Sequence, residues 1–319
     1  MDRISGGRAG KEGVMKKKWI VTTTISEPTE ATLKFAAMPD WQLVVVGDTK
    51  TPHESYRSLA GVIYLSPEDQ EAISKELSDA IGWRSIRRRN FGFIYAYQNG
   101  AEVIATVDDD NIPYEGWGEN LLVGKTVEVD TYDDALGVFD PISVTEHSNI
   151  WHRGFPVQFV PNRAPVYQGK RVINCMVQAD FWDGDPDVDA LCRLSIAPQV
   201  KFQKFSPFAP MSITPFNSQN TFLHRDVIPF YMMIPHIGRM DDIWGAYMLQ
   251  QELGMDHPPF ICFCPASVYQ DRNDHDLVID LEQEIVGYRY NPAVLSEGVY
   301  KYLPPESQEA WNLYRAQFG

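Results

Sequence analysis

Short apolar runs rich in β-branched residues alternate with polar, helix-starting segments along the first hundred residues. Trp19-Ile20-Val21-Thr22-Thr23-Thr24 reads as a first strand, and Ser26-Glu27-Pro28-Thr29 suits the turn and helix start after it. Gln42-Leu43-Val44-Val45-Val46-Gly47-Asp48 reads as a second, buried strand ending at Gly and Asp. Gly61-Val62-Ile63-Tyr64-Leu65 reads as a third, ending at Ser66-Pro67-Glu68-Asp69. The stretch from Ile86 to Asn99 has helical character and closes at Gly100. It leads into Glu102-Val103-Ile104-Ala105-Thr106-Val107, where four β-branched residues mark a further buried strand. Strands alternating with helices predict βαβ units and a mostly parallel α/β sheet. Beyond Asn111 the pattern changes. Residues 112–235 carry many Pro, Gly and aromatic residues between short apolar runs, which predicts mixed strands and long loops. Asp241 to Gly254 is the clearest late helix, with an acidic start, apolar residues spaced by three and four, and a terminal Gly. Residues 260–268 read as one more buried strand.

Composition narrows the function. A net charge of −15 without a basic stripe argues against a general binder of nucleic acid or anionic membrane. No stretch approaches the roughly 20 apolar residues needed to span a bilayer. Residues 1–15, rich in Gly, Arg and Lys, lack the apolar core of a signal peptide and read as a disordered leader, so a cytoplasmic protein is expected. Cys175, Cys192, Cys262 and Cys264 are too few and too scattered for a disulfide framework or a zinc set, and read as buried free thiols.

The candidate chemistry begins with Asp108-Asp109-Asp110, three carboxylates leaving a buried strand at its carboxyl end, where open α/β sheets hold their ligands. Such a cluster repels itself unless a cation neutralises it, and Mg²⁺ or Mn²⁺ carrying a phosphate group does so with oxygen ligands. A surface turn gives the same composition. Arg87-Arg88-Arg89-Asn90 sits on the helix leading into this strand. Consecutive arginines fan around a helix, so one or two reach a diphosphate while the rest do not. Asp48 suits either a ribose contact or a helix cap. No G-x-G-x-x-G follows the first strand and no P-loop occurs, which disfavours nicotinamide and P-loop chemistry. Trp151-His152-Arg153-Gly154-Phe155-Pro156 suits a sugar face or a packed turn. Ser218-Gln219-Asn220-Thr221, followed by His224, suits a pocket wall or a turn. Asp241 and Asp242 at the start of the late helix suit a helix cap or a general base. In the loop after the last strong strand, Asp271 or His275 can complete a metal shell at Asp110.

Taken in order, these pieces resemble nucleotide-sugar glycosyltransferases of the GT-A type, through the acid motif Asp108-Asp109-Asp110 and the helix ending Asn99-Gly100-Ala101. More closely, the chain resembles the STELLO-type family of glycosyltransferases. The similarity runs through Trp41 to Pro52, Tyr64-Leu65-Ser66, Gly92 to Ala101, Trp151 to Pro156, Asp185-Pro186-Asp187-Val188-Asp189, Pro215 to Thr221 and Asp271-Arg272. Over fewer segments it is similar to the reversibly glycosylated polypeptides, which include the UDP-arabinopyranose mutases. Those segments are the acid triplet, Arg153-Gly154-Phe155-Pro156 and Ile237 to Trp244. That second resemblance implies Arg153 as a site of self-glycosylation. Two departures stand out. Membrane-anchored STELLO-type proteins carry a transmembrane segment and this sequence shows none, and the His-containing segment of the mutases is matched here by Val268-Tyr269-Gln270, with His275 a few residues on.

The resulting expectation is a GT-A-like, Rossmann-like single domain over residues 16–319, with a nucleotide-sugar-binding half (16–111) and a mixed acceptor-side half (112–319). It implies a nucleoside-diphosphate sugar donor, a UDP-sugar in first place, and Mn²⁺ or Mg²⁺ held by Asp108, Asp110 and His275. Asp48, Arg87, Arg88, Arg89, Asn90, Asp108 and Asp109 would contact the nucleotide, and Asp241, Asp242 and Arg153 would serve the reaction. The hydroxyl acceptor stays open among a glycan, a protein, a small molecule or modified DNA, and homo-oligomerisation is also left open. A nucleotide-sugar mutase acting near Arg153 and a non-catalytic sugar-nucleotide-binding scaffold are the alternatives.

Overall fold

The computed structural model describes residues 16–254, 260–272 and 276–319. His275 and the leader expected over residues 1–15 lie outside the described residues. The first half alternates strands and helices as its hydrophobic pattern predicts: β1 (Lys18–Thr23), α1 (Glu30–Ala36), β2 (Trp41–Val46), α2 (His53–Arg57), β3 (Val62–Leu65), α3 (Pro67–Ile73) and α4 (Lys75–Ile81). A 3₁₀ turn (Ile86–Arg88) then runs into α5 (Arg89–Gln98) and β4 (Val103–Val107). Local chemistry sets the boundaries. Thr29 caps α1 by accepting from the Thr32 backbone amide, and Ser66 with Asp69 forms a reciprocal capping box on α3. Helix α5 lies directly on the sheet at Gly92, where a Cβ would stand 2.3 Å from Val21 and 2.8 Å from Val46.

The second half adds β5 (Asn111–Pro113), β6 (Thr126–Asp133), β7 (Val166–Asn174), β8 (Val177–Gly184), α6 (Ala190–Ile196), β9 (Phe208–Pro210) and β10 (Asn220–His224). It closes with α7 (Asp241–Glu252), β11 (Ile261–Gln270), α8 (Leu277–Glu297) and α9 (Pro305–Arg315). The described strands join in one eleven-stranded sheet of order β3-β2-β1-β4-β10-β8-β11-β9-β6-β7, with β5 paired to β11. Strands β3, β2, β1 and β4 are parallel, β10 is antiparallel to both β4 and β8, and β11 is parallel to β8. This is a GT-A-like, Rossmann-like α/β arrangement.

The topology fixes where chemistry can occur. The carboxyl ends of β1, β2, β4, β8 and β11 share one edge of the sheet, and antiparallel β10 brings its amino end to that same edge. The segments 23–26, 48–51, 108–110, 184–189, 217–219 and 270–272 therefore converge. Helix α7 packs into the core beneath them, buried on every side from Asp241 to Gln250. All four cysteines are free and buried. No helix among the described residues is long and apolar enough to cross a membrane.

Candidate functional site

At the converging edge a cavity of about 290 Å³ is lined by Asp108, Asp109 and Asp110, by Asp187, Asp241 and Asp242, and by Arg87, Arg89, Arg153, Arg239 and Arg272. Thr23, Ser218, Gln219, Gln270 and Gln283 complete its polar wall. A second cavity of about 530 Å³ adjoins it and shares Thr23, Ile86 and Asp109; Ser26, Asp48, Lys50 and Ser85 also line it.

The three acids after β4 do different things. Asp108 receives a 2.6 Å ion pair from Arg89, whose other donors reach Thr106 Oγ1 and the Ser218 carbonyl and hydroxyl. Asp109 turns toward the first half: the Thr24 hydroxyl donates to its carboxylate and the Thr29 hydroxyl to its carbonyl oxygen. Burial, with Asp108 adding repulsion, pushes the Asp109 carboxyl above its ordinary range despite the Thr24 hydrogen bond. Asp109 therefore ties the end of β4 to the cap of α1. Asp110 lines the cavity, and its carbonyl accepts from the Asp271 amide at 3.1 Å. The Asp271 residue itself is exposed and meets this site through its backbone.

Helix geometry divides the arginine run. Arg87 faces the cavity and pairs with Asp241 at 2.8 Å, and it also donates to the Gly238 carbonyl. Arg88 points the opposite way and is fully buried, bonded to Gln70 and Ser78 and stacked 3.7 Å from the Trp83 ring. Burial pulls its guanidinium down to about 10. Asn90 exchanges two hydrogen bonds with the Met233 backbone. The structure thus brings Arg87, from the 3₁₀ turn, and Arg89, from the first residue of α5, to the cavity and keeps Arg88 and Asn90 out of it. Asp48 spends its carboxylate on the backbone amides of Thr49, Arg84 and Ser85, whose bonds outweigh burial and lower its pKa. It shapes the wall of the second cavity by holding the 84–85 turn.

The motif around Arg153 is structural in its flanks. His152 is buried against the Arg153 carbonyl, and Trp151 donates its indole N–H to Asp189. Gly154, at φ 92°, lets the chain pass so close to α7 that a Cβ would stand 2.2 Å from Ile243. That approach delivers the Arg153 guanidinium between two carboxylates. Nε donates to Asp187 (3.0 Å), Nη2 to Asp187 (2.8 Å) and Asp242 (3.0 Å), and Nη1 to Asp242 (2.9 Å) and the Arg239 carbonyl. Every guanidinium proton has an acceptor. Burial alone would lower the pKa of this cation, but Asp187 and Asp242 reverse that and hold it well above the ordinary arginine value.

The paired acids at the start of α7 separate in the same way. Asp242 accepts from Arg153, the Ser218 amide and hydroxyl, and its neighbour Ile243. Burial pushes its carboxyl up, yet Arg153 and these bonds leave it below its ordinary range. Asp241 is raised instead, chiefly by burial and also by Asp242, with Arg87 offsetting part of the effect. A carboxylate with raised proton affinity on a cavity wall is the better base of the two.

Sequence reasoning assigned no role to Asp187, Gln270, Arg272 or Gln283. Arg239 is held by Glu284 and Asp280, and Arg272 touches Asp185, Asp187 and the Pro186 carbonyl at 3.4–3.7 Å. Asp187 lay within a motif shared with the STELLO-type family, which was the one signal that singled it out. His224 lies at the far end of β10, where it accepts from the Asp226 amide, and it takes no part in this cavity.

No family model matches this sequence. Two curated proteins of Arabidopsis thaliana do match it: "Probable glycosyltransferase STELLO2", 27% identical over 267 residues, and "Probable glycosyltransferase STELLO1", 26% identical over 268 residues. Each alignment covers 75% of this chain and 34% of the relative, so the chain spans about a third of the length of the curated relatives it matches. Over three quarters of its length, this chain is similar to proteins named as probable glycosyltransferases of the STELLO type.

Proposed function

We propose that the protein is a metal-dependent glycosyltransferase that moves a sugar from a nucleoside-diphosphate sugar, a UDP-sugar in first place, to a hydroxyl acceptor. The observation that carries this reading is one cavity at the carboxyl edge of the sheet. It holds the strand-end acids Asp108 and Asp110, two further arginine-rich walls, and Asp241, a buried carboxylate with raised proton affinity. The adjoining cavity past Thr23 and Asp48 offers a place for the nucleoside, and both volumes lie near the range of about 300–1,000 Å³ usual for ligand pockets.

The donor set suits Mg²⁺ or Mn²⁺, since carboxylate and amide oxygens dominate it and, among the described residues, no thiol or imidazole group lines the cavity. Asp110 and Asp108 would hold the ion, which when bound supplies positive charge to the diphosphate. Arg89 orients Asp108. Arg272, whose carboxylate partners stand 3.5–3.7 Å away, lines the cavity and would stabilise charge on the departing diphosphate. Asp241 accepts the acceptor's hydroxyl proton, and Arg87 keeps that carboxylate anionic and aimed. Asp242, Arg153 and Asp187 position α7 rather than touching the reacting atoms.

The test is mass-resolved turnover of a panel of nucleotide sugars with Mn²⁺, beside Asp110→Ala and Asp241→Asn. Slow, metal-dependent release of nucleotide and free sugar, lost in Asp110→Ala, supports the transferase and names its donor. A rearranged nucleotide sugar of unchanged mass overturns it in favour of a mutase. Donor binding without turnover of any kind overturns it in favour of a scaffold.

A further inference from the structure

Three segments meet beside Asp110, and their backbones lock them together. The Asn111 side-chain N–H donates to the Gln219 carbonyl at 2.8 Å, Asp271 N–H donates to the Asp110 carbonyl at 3.1 Å, and Gln270 stands opposite Asn111 in the antiparallel β11–β5 register. Within this knot three buried side-chain amide oxygens, Asn111 Oδ1, Gln219 Oε1 and Gln270 Oε1, have no hydrogen-bond partner. Their residues are 0%, 4% and 2% exposed, so water does not serve them freely. Buried acceptors are nearly always satisfied, and three orphans in one cluster point to a partner that arrives with a ligand.

That partner is either a hydroxyl donor or a hard cation. The surroundings favour the cation. The orphans are all oxygen acceptors, they adjoin Asp110, and hard divalent ions take amide carbonyls together with carboxylates. Among the described residues, moreover, no three His, Cys, Asp or Glu side chains come together as a metal-binding set. Among the described residues, carboxylates alone therefore leave the shell incomplete. Gln219 and Gln270 line the cavity whereas Asn111 does not.

We propose that the side-chain oxygens of Gln219 and Gln270 complete, beside Asp110, the coordination shell of the divalent cation; this rests on the metal-dependent reading above. Neutral ligands suit this wall. Six aspartates already face five arginines around the cavity, and a further carboxylate would cancel the positive charge that the ion must offer the diphosphate. A shell built this way holds the ion weakly by itself and firmly once diphosphate oxygens join it.

The experiment measures Mn²⁺ binding to the whole chain, by titration calorimetry and by the Mn²⁺ electron paramagnetic resonance signal, with and without UDP. Wild type is expected to bind Mn²⁺ much more tightly with UDP, and Asp110→Ala to lose that binding. Gln219→Leu and Gln270→Leu are each expected to weaken Mn²⁺ binding at least about tenfold in the presence of UDP. Their thermal melts without metal should equal or exceed wild type, because each removes an unsatisfied buried acceptor. Gln270→Glu is expected to tighten Mn²⁺ in the absence of UDP, a gain that misfolding cannot produce. Leu variants that bind Mn²⁺ like wild type while losing affinity for the intact nucleotide sugar overturn the proposal and make the amides readers of sugar hydroxyls. Wild type that binds no Mn²⁺ with or without UDP overturns the metal reading itself, and the proposal with it.

Discussion

Arg153 offers the sharpest test, because the two glycosyl readings give it opposite natures. As a self-glycosylated residue it must present a nucleophilic nitrogen. As the structure places it, the guanidinium is 7% exposed between Asp187 (3%) and Asp242 (4%), with every N–H taken. Arg153→Met keeps the bulk and removes the charge, leaving two buried carboxylates facing one another. Asp187 retains the Asn217 amide at 2.9 Å and Asp242 retains Ser218, so the loss is partial. Removing one member of a buried ion pair costs about 3–5 kcal/mol, and a value of about 4 kcal/mol is expected here. For a chain of 319 residues that corresponds to roughly 6 °C in Tm. The pH dependence follows from signs. Asp187 and Asp242 are held below their ordinary pKa in the folded state, because Arg153 outweighs the effect of their burial. Their stabilisation is therefore present above the unfolded carboxylate pKa and is lost as pH falls through the folded values. The melting gap between wild type and Arg153→Met should be widest at neutral pH and narrow toward about pH 4, as the variant's carboxylates protonate. Adding Asp187→Asn and Asp242→Asn to Arg153→Met should restore most of the loss. Scanning calorimetry from pH 4 to 8 measures this, and intact-protein mass spectrometry after incubation with nucleotide sugars should find no sugar on Arg153. A variant melting within about 2 °C of wild type at pH 7 would refute the argument, as would a glycosylated Arg153.

Asp241→Asn should lower kcat by about 10²–10⁴-fold while leaving donor affinity and Tm near wild type, since the amide retains the volume. In wild type the rate should rise with pH through the Asp241 ionisation, at an apparent pKa above the ordinary aspartate value, and Asp241→Asn should abolish that limb. Arg87→Met should move the same limb to higher pH, because Arg87 is the main charge lowering the Asp241 pKa; an unmoved limb would assign it to another group. Asp180, buried between Gln178 and Ser267, is pushed up to about 6 by burial. Its ionisation in the folded state thus opposes folding as pH rises from about 4 to 6, and Asp180→Asn should gain on wild type over that range by roughly 1–3 kcal/mol, read as a growing Tm difference.

The parts legible in the sequence are those governed by local pattern. Strands β1, β2, β3 and β4 are covered on their faces by helices, so each reads as an unbroken apolar run, and the acids after β4 follow at once. The hairpin of β6 and β7 lies at the sheet's edge with polar residues at many positions, as in Tyr167-Gln168-Gly169-Lys170-Arg171, and no run announces it. Helix α8 contains Gly287 and Pro292, which punctuate a sequence reading although the helix continues through both. The division of labour inside each motif was less legible still. The arginine run could be said to fan, but which arginine meets the acids depends on where α5 docks on β1 and β2. Arg153 and its partners Asp187 and Asp242 are 34 and 89 residues apart, and only the crossing at Gly154 brings them together.

That crossing also explains why Asp241 and Asp242, neighbours with the same chemistry, are not interchangeable. Helix α7 is enclosed on all sides, so the acids at its start cannot turn to solvent. Each must find its charge partner in the protein. Asp242 faces the long second-half connections and takes Arg153, itself bound to Asp187 after β8, and Ser218, just before β10. Asp241, rotated by about 100°, faces the first half and takes Arg87 from the helix start that precedes α5. The ion pair fixing the folded core and the one poised at the cavity are thus consecutive steps of one helical turn. Burial is common to both, and the partner alone decides which carboxylate is locked and which can take up a proton.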